Sequence, residues 1–228
     1  MITQLSPLLK GLVLHVDLDQ ESYNPATKRF TDKSAYGNHG TSNNAASFVA
    51  DRMGQANRVM SFDGSSDYVN CGNGESLDIT DEITIAAWIK PCRMSGDSDW
   101  QNIISKDVNT GSRCYDVFQH LDEVQFFISG ASFMETTGAN LQAGIWCHVI
   151  IVYDENIVSI YINNVTKLNQ LESAGIVSNN ADLWLGNLGW SGSFDFKGSI
   201  DDVRIYNRVL TDTERTLLYE SYRPRLII

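Results

Sequence analysis

The sequence predicts an all-β chain folded as a two-sheet antiparallel β-sandwich with one short C-terminal helix. Three observations carry that expectation. Short apolar runs, some alternating with polar residues and some apolar throughout, recur between clusters of Gly, Asn, Asp and Ser. A helix-start signature stands close to the C-terminus. A length of 228 residues with 43% hydrophobic and 10% aromatic content suits one sandwich with a sizeable core, so no second domain is needed.

The expected strands are 12–18, 59–62, 83–89, 124–128, 146–153, 158–162 and 203–206. The run 146–153, Trp-Cys-His-Val-Ile-Ile-Val-Tyr, is apolar on both faces, which places it centrally, covered by the second sheet and by a loop layer. Asn163-Asn164 predicts a tight hairpin turn, because asparagine tolerates positive φ better than other residues with a Cβ. The sequon Asn164-Val-Thr166 then reads as a turn and not as a glycosylation site. Thr211-Asp-Thr-Glu214 is a capping box opening a helix over 211–222, with Leu217, Leu218 and Tyr222 toward the sandwich edge. The expected organisation is an N-terminal arm (1–10), the sandwich (11–222) and a tail (223–228) that returns as an edge strand or touches a neighbouring subunit.

Seventeen Lys and Arg against 28 Asp and Glu give a net charge of −11, which disfavours nucleic acid and anionic membrane surfaces as partners. No apolar run approaches the roughly 18 residues of a membrane helix, so no membrane insertion is expected. The first ten residues show neither a basic leader nor an apolar core, which predicts a chain used without a signal peptide or trimmed of one. Cys71, Cys92, Cys114 and Cys147 lack metal or redox spacing and read as scattered free thiols, with no pairing dictated.

Adjacent Asp201 and Asp202 repel each other in a half-buried strand and require a compensating cation. The loop containing Asp32-Lys-Ser34 and Gly37-Asn-His-Gly40 is dense in short oxygen-bearing side chains, the ligand type that a hard cation accepts. The expected site is a structural Ca²⁺ held by the carboxylates of Asp32 and Asp201, the amide oxygen of Asn38 and carbonyls of the 34–40 loop. The rival reading is an Asx-turn network with Arg204 or Lys33 balancing the charge.

Eight motifs occur in a fixed order: Asp32-x-Ser34-x-x-Gly-Asn38-x-Gly40, Phe62-Asp-Gly-x-x-Asp-Tyr-Val69, Ile83-Thr-Ile-Ala-Ala-Trp-Ile-Lys-Pro91, Ile103-Ile-Ser-Lys106, Trp146-Cys-His-Val149, Ile160-Tyr-Ile-Asn-Asn164, Leu183-Trp-Leu-Gly186 and Gly198-Ser-Ile-Asp-Asp-Val-Arg-Ile-Tyr-Asn-Arg208. Together they resemble the laminin G-like jelly rolls of the concanavalin A-like lectin/glucanase superfamily over roughly residues 11–220. The resemblance implies two curved sheets, supports Asp201 over Asp202 as the calcium ligand, and leaves function open among lectins, adhesion modules, glycosidases and virion components. The Glu-x-Asp-x-x-Glu array of the superfamily's glycosidases is absent, so no catalytic residues are assigned and glycoside hydrolysis is the least supported reading. Asp116, Asp122-Glu123 and Asp154-Glu155 read as solvated charges, His148 as a hydrogen-bonded core histidine and His39 as a neighbour of the ion loop.

Glycan recognition needs exposed aromatic faces beside hydrogen-bonding groups. The candidates are Trp100 in the 95–102 loop and Trp190 and Phe194 in the 187–196 loop, with Tyr115 and His120 on the same concave sheet; Trp88 and Trp146 belong to the core. Edge covers of the core are the alternative for Trp100 and Trp190. The expected function is a non-catalytic binding or adhesion module for glycans or a glycosylated surface, facing the extracellular space. The alternative is a virion structural protein, a capsid decoration or tail component displayed on the virion surface. Its apolar stretches at 5–9 and 226–228 would dock on further copies of itself or on capsid and tail proteins.

Overall fold

The computed structural model describes residues 6–92, 100–109, 113–129, 132–191 and 193–221. Its strands are, in chain order, β1 Leu12–Val16, β2 Tyr23–Asn24, β3 Arg29–Phe30, β4 Gly40–Ser42, β5 Ser47–Val49, β6 Val59–Asp63, β7 Val69–Asn70, β8 Glu82–Pro91 and β9 Trp100–Asp107. They continue as β10 Arg113–His120, β11 Glu123–Ile128, β12 Ser132–Glu135, β13 Cys147–Asp154, β14 Ile157–Ile162, β15 Val165–Leu171, β16 Leu183–Leu185 and β17 Lys197–Tyr206, followed by helix α1 Asp212–Ser221. One sheet runs β15-β14-β13-β8-β17-β6-β5 with β1 also on β17; the other runs β12-β11-β10-β9-β16-β7-β4-β3-β2.

The core lies between the sheets. Alternate residues of β8 (Ile83, Ile85, Ala87, Ile89) and β13 (Val149, Ile151, Tyr153) meet Tyr115, Val117, Val124, Phe126 and Ile128 of β10 and β11. The outer face of the first sheet is closed by a second cluster in which Leu8, Leu12, Ala86, Ile150, Val152 and Tyr206 pack with Leu210 and Leu218. This is why the central β13 is apolar on both sides, and the cover is α1 with the turn Ser6–Leu9. Leu8 is therefore part of the packed body, while residues 1–5 and 222–228, including Tyr222 and the apolar stretch 226–228, lie outside the described residues.

Local chemistry fixes the ends of these elements. Asn163 (φ 51°) and Asn164 (φ 63°) make the two-residue turn between β14 and β15. Thr211 Oγ1 accepts the Glu214 N–H (3.3 Å), and Glu214 Oε2 accepts the Thr211 N–H (2.9 Å), closing the capping box. Gly198 (φ 150°) brings β17 so near Lys90 that a Cβ would collide with its carbonyl oxygen, so no other residue fits there. Trp88 is buried beside α1 and not between the sheets, whereas Trp146 precedes β13 and is only half-buried, short of the core position expected of it.

Candidate functional site

The outward face of the second sheet carries a row of residues paired strand to strand: Arg29, Thr41, Asn70, Trp184, Ser105, Asp116, Phe127 and Phe133. Polar at one end and aromatic at the other, the row departs from the alternation expected of a solvated face. Over its aromatic end lies a hollow of about 250 Å³ lined by Trp100, Phe118, Phe127, Phe133, Trp190 and Phe194, with Arg113, Gln125 and Leu188. Trp100, Trp190 and Phe194, expected as contacts from separate loops, thus come together.

Two elements build this hollow. β10 and β11 alternate, so Phe118, Gln125 and Phe127 face outward while Val117, Val124, Phe126 and Ile128 face the core. The loop after β16 folds over the sheet: the Asn102 N–H donates to the Phe194 carbonyl (2.7 Å), and Asn187 Nδ2 donates to Asp195 across the loop base. Gly189 packs so closely on the Trp184 indole that a Cβ would overlap it, which seats Leu188 and Trp190 beside the hollow. Trp100 and Trp190 keep 42% and 40% of their surface exposed, unlike any tryptophan filling a core.

His120 also joins the site. Its ring stacks on Trp100 with centroids 4.9 Å apart and contacts the Glu135 carboxylate, which accepts a hydrogen bond from Gln125 Nε2 at 2.8 Å. Tyr115 does not join it. The strand alternation turns that ring into the core, where it is fully buried and its hydroxyl donates to the Leu77 carbonyl at 2.9 Å, so it has no surface to offer a ligand. Phe118, Phe127 and Phe133 were missed from sequence; the legible signal was an aromatic residue at the outward position of an amphipathic strand.

Under the hollow lies a buried charge cluster. The Arg113 guanidinium covers the Phe127 ring at 4.2 Å and stands 3.4 Å from both Asp107 and Asp116. Asp116 is fully buried, correcting the reading of it as a solvated charge. Burial, joined by the neighbouring Asp107 carboxylate, raises its pKa well above the usual carboxylate range against the pull of Arg113.

A laminin G-like family model described as the concanavalin A-like lectin/glucanases superfamily matches residues 63–214. The chain belongs to that superfamily. Solved structures agree on the fold. Domain 4 of AbnA, an extracellular arabinanase from Geobacillus stearothermophilus solved with arabinotriose, aligns at TM-score 0.66 and 22% identity over 91% of this chain and 98% of that one. The binding domain of Paraclostridial Mosquitocidal Protein 1 aligns at TM-score 0.73 and 17% identity, covering 94% of this chain and 53% of that one. The ligand-binding domain of botulinum neurotoxin serotype D, solved with N-acetylneuraminic acid, aligns at 0.71 and 12% identity over 96% and 52%. This superfamily member thus spans about half the length of the toxin domains and nearly all of the arabinanase domain.

The carboxylates expected to hold an ion have protein partners in this member of the superfamily. Asp32 accepts the backbone N–H groups of His15 (2.8 Å), Ser34 (2.9 Å) and Asn38 (2.8 Å) and the Ser34 hydroxyl (2.6 Å). Asn38 Nδ2 donates to the Val13 carbonyl and to Ser76 Oγ, both at 2.8 Å. Asp32 and Asn38 are therefore brought together, and they fasten the loop to β1. Asp201 instead pairs with Arg52. Burial raises its carboxyl to about 7 despite the opposing pull of Arg52.

Asp201 and Asp202 sit where β17 leaves β6 and takes up β1, at a bulge with Asp202 at φ 51°. Asp202 contacts the Arg204 Nε at 2.9 Å and the His15 ring at 3.0 Å. Burial alone would raise its pKa, but Arg204 and His15 outweigh it and hold the carboxyl well below the usual range. Among the described residues, His15, Asp17 and Asp202 form a cluster with metal-ligand spacing: His15 Nε2 stands 2.7 Å from Asp17 Oδ1 and 3.0 Å from Asp202 Oδ1, Lys33 pairs with Asp17 Oδ2, and Asp202 Oδ2 is buried without a hydrogen-bond partner. A hollow of about 250 Å³ beside them is lined by Asp17, Asp19, Asp51, Asp201 and Asp202 with Arg52 and Arg58.

Proposed function

We propose that the protein is a non-catalytic carbohydrate-binding module whose ligand seat is the aromatic hollow. The observation that carries this reading is the convergence of Trp100, Phe133, Trp190 and Phe194, from three separate stretches of chain, around one exposed apolar depression. Sugar rings present C–H faces to such surfaces, and His120, Glu135 and Gln125 at the rim supply hydrogen bonds for hydroxyls. Two fold neighbours described with bound saccharides support the ligand class. A glycosylated surface outside the cell is the partner this chemistry suits.

Hydrolysis is disfavoured by geometry. A glycosidase needs two carboxyl groups about 5 Å or more apart, flanking the scissile bond. Asp107 and Asp116 beneath the hollow share the Arg113 guanidinium, each 3.4 Å from it, and are buried away from the ligand side.

A glycan array with the wild-type chain and with Trp190→Ala tests the reading. Loss of one stacking face is expected to weaken the array's best ligand about tenfold while the melting temperature stays unchanged. Silence across the array, or binding indifferent to both Trp100→Ala and Trp190→Ala, overturns it.

A second observation favours a structural cation. The set Asp32, Asn38 and Asp201 is less suited, since the Asp32 oxygens already accept protein N–H and O–H donors and Asp201 pairs with Arg52. The orphaned buried oxygen of Asp202, with the Asp17 carboxylate facing it across the His15 ring, does fit a hard cation. We propose that Ca²⁺ binds there in place of the proton on His15; when bound, it neutralises the two carboxylates. Asp17 follows β1 and Asp202 lies in β17, so the same pair of side chains ties the first strand to the last. Added calcium is expected to raise the melting temperature of the wild type and not of Asp202→Asn, because a ligand held by the native state alone stabilises it. Identical melts in calcium and in chelator remove the ion from the account.

A further inference from the structure

The polar end of the sheet row opens onto a much larger hollow of about 890 Å³ at β3, β4 and β7, within the size range of ligand pockets. None of the residues expected to touch a glycan lies in it. Its walls offer Arg29, Tyr36, His39, Asn70, Asn73 and Asp182, with Tyr68 packed edge-on against Trp184 at 4.9 Å. We propose that this groove is a second saccharide-binding compartment, taking a neutral, hydroxyl-rich sugar unit. The proposal rests on the carbohydrate reading for its ligand class.

Preorganised donors carry the argument. His39 Nδ1 accepts the Asp32 backbone N–H at 3.1 Å, which fixes the tautomer and leaves Nε2–H as a donor. Asn73 Oδ1 accepts a 2.6 Å hydrogen bond from Lys106 Nζ, so the amide NH₂ of this exposed residue turns the other way, to the groove. Lys106 is itself fully buried and held by the Ala181 carbonyl (2.8 Å) and Asp78 (2.9 Å), so the orientation of Asn73 is imposed from below. Asn70 is clamped at both ends: its Oδ1 accepts the Gly72 N–H at 2.6 Å, and its Nδ2 donates to Asp182 Oδ2 at 2.8 Å. One N–H of that amide and the second Asp182 oxygen remain as a donor and acceptor side by side, the pairing that a sugar hydroxyl satisfies by accepting and donating at once. Tyr36, 55% exposed, supplies an apolar face at the rim.

Charge selects the neutral member of the class. Arg29 and Asp182 offset each other within the groove, while the chain as a whole carries −11. The ridge formed by Trp184 under Gly189 separates the groove from the aromatic hollow. Asn70 on β7 and Phe127 on β11 are four strand spacings apart, roughly 19 Å, so the compartments are separate seats on one face.

Each compartment is readable on its own by NMR. The ¹⁵N-labelled chain is titrated to millimolar levels with arabinotriose and, separately, with N-acetylneuraminic acid, following the Asn70 and Asn73 side-chain amides for the groove and the Trp100 and Trp190 indole N–H signals for the hollow. Arabinotriose is expected to shift the amide signals in the wild type and in Trp190→Ala alike, and about tenfold more weakly in Asn70→Ala. Amide signals unmoved by arabinotriose, or moved by N-acetylneuraminic acid alone, overturn the proposal. Still indole signals beside shifting amides would instead count against the aromatic hollow, so the two failures are distinct.

Discussion

His148 lies in β13 with its ring 4.9 Å from Trp88 and 5.8 Å from Tyr219. It is a buried histidine, as expected, its ring stacked between Trp88 and Tyr219 and its Nδ1 without a hydrogen-bond partner. Burial pushes its pKa down to about 3. The unfolded chain, with an ordinary histidine near 6.5, then binds the proton more readily, and stability is lost as pH falls below about 6.5. Asp201 acts with the opposite sign: burial raises it to about 7, so its contribution is present at low pH and is lost as pH rises toward 7. The wild-type profile between pH 4 and 7 contains both contributions, with the raised Asp116 acting in the same sense as Asp201, and a variant isolates one. His148→Phe, which keeps the stack, is expected to gain about 1 kcal/mol on the wild type per pH unit as urea melts move from about pH 6.5 to 5. A constant difference between the two proteins across that range removes the histidine from the acid response. At the same scale the rival reading of Asp32 as an Asx turn was legible, because a carboxylate two residues before serine matches it, whereas the bond from the His15 N–H, 17 positions away, was not. Arg52 as counter-ion to Asp201 is separated from it by 149 positions, and no local spacing announces such a pair.

The elements that sequence reading recovered are those with a local physical signature. β8 and β13 carry long apolar runs, α1 carries its capping box, and the hairpin between β14 and β15 carries Asn163-Asn164. β2, β3, β4, β7 and β16 have two or three residues each, too few for a period-2 pattern to register, and three of them, β3, β4 and β7, line the polar groove. β9 and β10 hid for another reason. Gln101, Asn102, Ser105, Lys106, Asp107, Asp116 and Gln119 interrupt their apolar pattern, yet all seven are buried. They resemble a solvated strand because a loop and a buried ion cluster cover the outward face in place of water. Laid along the sheet, these unread segments coincide with the candidate binding face: sequence pattern reports the core well, and it fails where polar groups are buried for a purpose other than packing.

The whole molecule is asymmetric in a way that directs binding. α1 and the turn Ser6–Leu9 close the outer face of the first sheet, so the outer face of the second is the one left to carry the apolar hollow and the polar groove. Around that face the net charge of −11 sets a negative field with a range of roughly 10 Å at 0.1 M salt. A neutral sugar held by stacking and short hydrogen bonds does not feel that field, whereas an anionic sugar is repelled by it at low salt. Arabinotriose affinity, measured by calorimetry, is therefore expected to change less than about twofold between low and high sodium chloride, and N-acetylneuraminic acid affinity to rise with salt as screening sets in. A steep loss of arabinotriose binding with salt would mean that Coulomb attraction, which this acidic chain is poorly built to supply, holds the ligand; the aromatic and amide contacts would then not be its seat.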